Sequence, residues 1–207
     1  MIHWTAPLDE CLYVSSDEKS TMAIRPIRLF GDPILRQKAA PVIDFDKELR
    51  DLVRDLSETM IDANGGGIAA PQIGVSLRVF TYVVEGEIGH VVNPLVQVVG
   101  DEEQVGQEGC LSIPGLPFDC RRHLQVLTTG FTMHGEPLRV EGHGRLSVII
   151  EHETDHLDGI LFVDRLDPRT REAAEAAIRE AEWSGGVVPE IRYSPHAPLR
   201  AGSTARS

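Results

Sequence analysis

Glu151-His152-Glu153-Thr154-Asp155-His156-Leu157-Asp158-Gly159 places two histidines four residues apart, with a carboxylate beside the first. On a helix of about 3.6 residues per turn, positions i and i+4 share a face, so both imidazoles can reach one divalent cation while Glu153 leans over the same point. Such a pair is incomplete. A zinc-type centre that performs chemistry is held by three protein ligands and keeps a fourth position for water, so a third ligand must come from another part of the chain.

Working outward, the apolar and glycine signals predict a helix from about Arg145 to Asp158 that carries this motif. Asp167 as cap and Pro168 at the first helical position predict a second helix reaching about Glu182. Upstream, Asp44 and Asp46 open a third helix that runs to about Ala63, with Leu49, Leu52, Val53, Leu56, Met60 and Ile61 on one face. It stops at Asn64-Gly65-Gly66-Gly67, glycines read as backbone that something approaches closely. No Lys-Ser/Thr follows them, as a phosphate-binding loop requires. Arg78 to Val84 and His90 to Val99 are rich in β-branched residues and flank a Glu85-Gly86-Glu87 turn, which predicts antiparallel strands. Leu124 to Thr129 and Leu138 to Glu141 extend the sheet.

The 207 residues suffice for one domain with a proper core. This domain is expected over 22–183. A mobile N-terminal extension is expected over 1–21, and a mobile or surface-lying tail over 184–207. With 42% hydrophobic and 25% charged residues, the composition excludes a largely disordered chain. A net charge of -12 repels phosphates and anionic lipid, so neither DNA nor membrane is an expected partner. Asp9, Glu10, Asp17 and Glu18 interrupt the start of the chain, which lacks the basic-then-apolar layout of a secretory signal; the cytoplasm is the expected compartment. Cys11, Cys110 and Cys120 are too few for a disulfide framework.

The extended zinc-protease pattern, with a third histidine three residues after the glycine, fails here because that position is Phe162. The three cysteines, the other histidines and many carboxylates remain as third-ligand candidates. Cys110 stands out by its setting, Gln107-Glu108-Gly109-Cys110-Leu111-Ser112-Ile113-Pro114, although a buried free cysteine is common and usually inert.

Taken together, Gly65-Gly66-Gly67-Ile68-Ala69-Ala70-Pro71-Gln72, then Glu108-Gly109-Cys110-Leu111-Ser112, then His152-Glu153-Thr154-Asp155-His156-Leu157-Asp158-Gly159 resemble the three ordered motifs of the peptide deformylase family. The resemblance covers roughly residues 22–168. It implies an α+β fold, with antiparallel or mixed sheets packed around a central metal-bearing helix and with an N-terminal and a C-terminal helix. It also implies removal of the formyl group from the N-terminal formylmethionine of new polypeptides, with those chains as partners and a transient ribosome contact. By motif match, Cys110, His152 and His156 become ligands of one divalent metal ion, Fe(II) in the cell with zinc, nickel or cobalt able to replace it. Glu153 becomes the general base and acid. Gln72 and the backbone N–H of Leu111 become the oxyanion donors, and Gly65, Gly67, Ile68, Gly109, Val148 and Ile149 the substrate-binding residues.

The chain departs from the family pattern in places. Ile68 replaces a leucine, Gly66 stands where an apolar residue is frequent, Gly106 precedes the second motif where a bulkier residue can sit, and Arg145 occupies a frequent leucine position. Glu151 replaces a glutamine and is expected to face solvent. Leu116-Pro117-Phe118 stands where the family carries an arginine, and Arg122 is expected to pair with Asp155 or another acid behind the ligands and so brace the ligand helix. Two other functions compete: a metal-dependent amidohydrolase or peptidase of wider scope, and a non-enzymatic binder of formylated nascent chains.

Overall fold

In the computed structural model, which describes residues 24–184, three helices and seven strands form an α+β fold in which one helix touches both sheets. The first helix, α1, spans Lys47–Asp62. Asp46 caps it by accepting a hydrogen bond from the Leu49 N–H, as the acidic signal before the apolar stripe predicts. Leu49, Val53, Leu56 and Met60 are buried, each contributing about 1.5–3 kcal/mol by leaving water. Ile61, expected on the same face, is instead 49% exposed. The buried face takes Asp55 and Thr59 in addition, because Arg25 pairs with the Asp55 carboxylate at 2.7 Å and donates its backbone N–H to Thr59 Oγ1.

The strands are β1 (Gly67–Ala69), β2 (Val79–Val84), β3 (Glu87–Val98), β4 (Glu103–Cys110), β5 (Ile113–His123), β6 (Gln125–Phe131) and β7 (Pro137–His143). Five of them form an antiparallel sheet in the order β1-β2-β3-β6-β7. β4 and β5 form a separate long hairpin. This hairpin and the short β1 were not expected from hydrophobic alternation.

The second helix, α2, spans Arg145–Leu157, and the third, α3, spans Pro168–Glu180 with Asp167 accepting from the Arg169 and Thr170 N–H groups. α2 buries Ile150 and Leu157 against Phe80, Val91 and Val126 of the large sheet. Its other side meets the hairpin, where Cys110, Ile113 and Cys120 join Phe162, Ala174 and Ile178 in a second core cluster. Lying between two layers, α2 can present ligands to one while it is anchored by the other. Among the described residues no helix is long and apolar enough to cross a membrane. The expected extension over 1–21, and the expected tail beyond its first residue, Ser184, lie outside the described residues.

The β2–β3 connection is a two-residue turn, Val84 pairing with Glu87, and both central residues have positive φ: Glu85 at 54° and Gly86 at 86°. That geometry suits an Asn-Gly pair, and glutamate is a poor occupant of the first position. Glu85→Asn should raise stability by about 0.5–1 kcal/mol, read as a higher urea midpoint at unchanged slope. An unchanged or lower midpoint would contradict the strain assigned to Glu85.

Candidate metal centre

Three donors from two layers converge. Cys110 ends β4 and is 7% exposed, while His152 and His156 project from α2 at 7% and 1%. One ligating atom from each lies within 4.8 Å of the others, and Cys110 Sγ is 3.2 Å from His156 Nε2. In a tetrahedral site, neighbouring sulfur and nitrogen ligands are about 3.3–3.6 Å apart, given metal–ligand bonds of about 2.0–2.3 Å. The Cys110–His156 pair stands close to that spacing, and the His152 donor lies within 4.8 Å of both. One thiolate and two imidazoles suit first-row divalent ions.

The surrounding groups orient these donors. His152 Nδ1 lies 2.6 Å from Glu108 Oε1, so Nδ1–H donates to the carboxylate and Nε2 is the ring atom left for the cluster. Arg122 Nη2 reaches the same Glu108 oxygen at 2.7 Å, and its Nη1 reaches Asp155 Oδ2 at 2.7 Å. Arg165 closes the chain on Asp155 Oδ1 at 2.5 Å. Burial alone raises the Glu108 pKa, but hydrogen bonds from Arg122 and His152 outweigh it and hold the carboxyl at about 2. Burial holds His156 well below the ordinary imidazole value, which favours the neutral ring that ligation requires. Phe162, the residue at the excluded third-histidine position, stacks on the His152 ring with centroids 6.1 Å apart.

Beside the donors stands Glu153, 3% exposed. Its Oε2 has no hydrogen-bond partner among the described residues, and burial pushes its carboxyl up to about 7. Its Oε1 lies against β1: a Cβ added to Gly67 would stand 2.5 Å from that oxygen and 2.9 Å from Ile149 Cγ2. A Cβ at Gly65 would meet Leu111 Cδ1 at 2.8 Å. The glycine run thus serves close approach. The left-handed residue that ends α1 is Asn64, at φ 52°.

Gln72 is held by both ends of its amide. Oε1 accepts the Ala69 N–H at 2.8 Å, which turns Nε2 towards Ser112 Oγ at 3.2 Å and Cys110 Sγ at 3.7 Å. Its amide donor therefore faces the thiol. The Ser112 N–H points at Cys110 Sγ from 3.4 Å.

Of the remaining substrate residues expected from sequence, Gly65, Gly67 and Ile149 border Leu111 and Glu153. Ile68 points its fully buried side chain into the α1 core, so only its backbone is available to a ligand. Gly109 is exposed between buried Glu108 and Cys110, and Val148 is half-buried beside Ile149. The expected Arg122–Asp155 pair is present. Glu151 departs from expectation: it is not free in solvent but accepts the His123 N–H at 3.0 Å and lies 2.8 Å from His123 Nδ1, tying the end of β5 to α2. The role of Glu108 and the Arg165 contact were missed. A usable signal existed for Glu108, which stands two residues before Cys110 and so shares its face of a strand.

The polypeptide deformylase family model matches residues 24–172 of this chain. The chain is 58% identical over 175 residues to a peptide deformylase of Acidothermus cellulolyticus, covering 84% of this chain and 96% of that protein. It is 42% identical over 165 residues to peptide deformylase 2 of Streptomyces coelicolor, covering 77% and 92% respectively. Among solved structures, the peptide deformylase of Thermus thermophilus superposes with a TM-score of 0.72 at 42% identity, over 76% of this chain and 94% of that one. The Synechococcus elongatus peptide deformylase in complex with actinonin gives 0.71 at 35% identity, over 78% and 89%. With the family model spanning most of the chain and relatives matched along nearly their whole length, this chain belongs to the peptide deformylase family.

Proposed function

We propose that the chain deformylates new polypeptides with Cys110, His152 and His156 holding a single divalent ion, Glu153 moving the proton, and Gln72 with the Leu111 N–H receiving the oxyanion. Removal of the formyl group from N-terminal formylmethionine is the activity of the family, and metal dependence goes with it. The observation that carries the residue assignment is the convergence of one sulfur and two imidazoles beside a buried, unpartnered carboxylate oxygen. Iron(II) is the proposed occupant in the cell, with zinc, nickel or cobalt able to take its place, since thiolate and imidazole accept all four. A transient ribosome contact and a cytoplasmic setting follow from the substrate.

Held by Cys110, His152 and His156, the ion would supply Lewis acidity that makes water a stronger acid near neutral pH. Glu153 Oε2, buried and with no protein partner among the described residues, takes the proton released as the formyl carbon is attacked and passes it to the departing amine nitrogen. A carboxyl pushed up towards neutrality is matched to both transfers. The Gln72 Nε2–H and the Leu111 N–H donate to the oxygen that becomes negative. Because Ala69 fixes the Gln72 amide beforehand, little reorganisation is needed at that moment. Gly67 and Ile149 close the space around Glu153 and exclude bulk water.

Glu153→Gln should retain one metal ion per chain while formate release falls about 10²- to 10⁴-fold, the usual range for losing a general acid–base group. Full activity in that variant would overturn the role given to Glu153. Comparison of formyl-Met-Ala with acetyl-Met-Ala discriminates the wider amidohydrolase reading. The close approach of Gly67 to Glu153 and Ile149, and of Gly65 to Leu111, should make acetyl turnover at least about 100-fold slower, and equal rates would favour the broader enzyme.

A further inference from the structure

Arg145 opens α2 with its side chain exposed, yet its guanidinium stands beside the glycine run that borders Glu153. A Cβ placed on Gly66 would lie 3.7 Å from Arg145 Nη2 and 3.5 Å from Ile149 Cδ1. Arg145, Ile149, His152 and His156 follow one another at intervals of four, three and four residues, so they share one face of α2. The guanidinium is therefore presented on the same side as the candidate ligands. Its Cα lies about 10 Å before that of His152, seven residues at about 1.5 Å each.

Its charge is uncommitted. Among the described residues no hydrogen bond or ion pair engages Arg145. Arg25, Arg78, Arg122 and Arg165 all have carboxylate partners, and Glu141, near in sequence, is taken by Arg139. In a chain of net charge -12, an arginine left without an acid beside Gly66 and Ile149 is a site for an acid from outside. Gly66 has no side chain to cover it.

An extended peptide advances about 3.3–3.6 Å per residue. With the formyl carbon at the ligand cluster and the methionine side chain against Ile149, the next two residues pass within reach of the guanidinium. Its fork of N–H donors matches a carboxylate in shape and charge. We propose that Arg145 is a specificity residue that favours formylmethionyl peptides with Asp or Glu at one of the two positions after methionine. This proposal rests on the deformylase reading above.

The test uses C-terminally amidated peptides, so that no terminal carboxylate competes: formyl-Met-Ala-Ala, formyl-Met-Asp-Ala, formyl-Met-Ala-Asp and their lysine counterparts. The readout is the ratio of kcat/KM for acidic to neutral peptide, which cancels any difference in active fraction between preparations. The native protein should prefer one acidic peptide about three- to tenfold at low salt, disfavour its lysine counterpart, and lose most of the preference at 0.5 M salt. Arg145→Gln should bring the ratio to about one, and Arg145→Lys should keep part of it. A ratio of one in the native protein, or an undiminished ratio in Arg145→Gln, overturns this proposal while formate release from the neutral peptide sustains the deformylase reading. Absence of formate release from every peptide overturns both.

Discussion

The Glu108 carboxylate, buried between the His152 ring and the Arg122 guanidinium, joins the β4–β5 hairpin to α2. Without that junction the cysteine and the histidines would belong to separate layers. Two further charges extend it, since Asp155 accepts from both Arg122 and Arg165, so two acids and two arginines balance within the network. A buried network of this kind adds little net stability over an apolar packing, but loss of one partner strands a charge and costs about 3–5 kcal/mol. Its use lies in orientation: it selects the tautomer of His152 and sets the position of Cys110 relative to the helix. Burial and the Glu108 charge push the neighbouring Cys120 thiol up to about 12.

A second constraint acts from the opposite side. Gly65, Gly66 and Gly67 pass so close to Leu111, Ile149 and Glu153 that a side chain at Gly67 would displace the carboxylate. The backbone there is held in the sheet by β1–β2 pairing and by the Val83 N–H donating to the Gly66 carbonyl at 2.9 Å. The large sheet thus supplies a bare edge of main chain, α2 supplies the reactive groups, and the hairpin supplies the thiol. The proposed catalysis draws on groups oriented before substrate arrives, above all the Gln72 amide fixed by Ala69.

Much of this was legible in the sequence where local physics is decisive. Asp46 and Asp167 predict helix starts through their capping oxygens, and the 3.6-residue stripe of α1 predicts its buried face apart from Ile61. The two-residue turn at Glu85-Gly86 follows from strands on either side. The β4–β5 hairpin escaped because, apart from Ile113 at its turn, its buried positions are Glu108, Cys110, Cys120 and Arg122, and Pro114 and Pro117 interrupt β5. A strand whose inner face is built for ion pairing and ligation carries no alternating hydrophobic signal. Glu151 was misjudged for a related reason: its partner, His123, lies 28 residues earlier and meets it only through the fold.

The central claim is that one sulfur and two imidazoles share a single ion, and X-ray absorption at the metal edge of zinc-loaded protein tests it most directly. The account predicts one sulfur neighbour at about 2.3 Å and two imidazole nitrogens at about 2.0–2.1 Å, with the sulfur shell lost in Cys110→Ser and unchanged in Cys120→Ser. A zinc site with no sulfur neighbour, or one whose sulfur survives the Cys110 substitution, would contradict it.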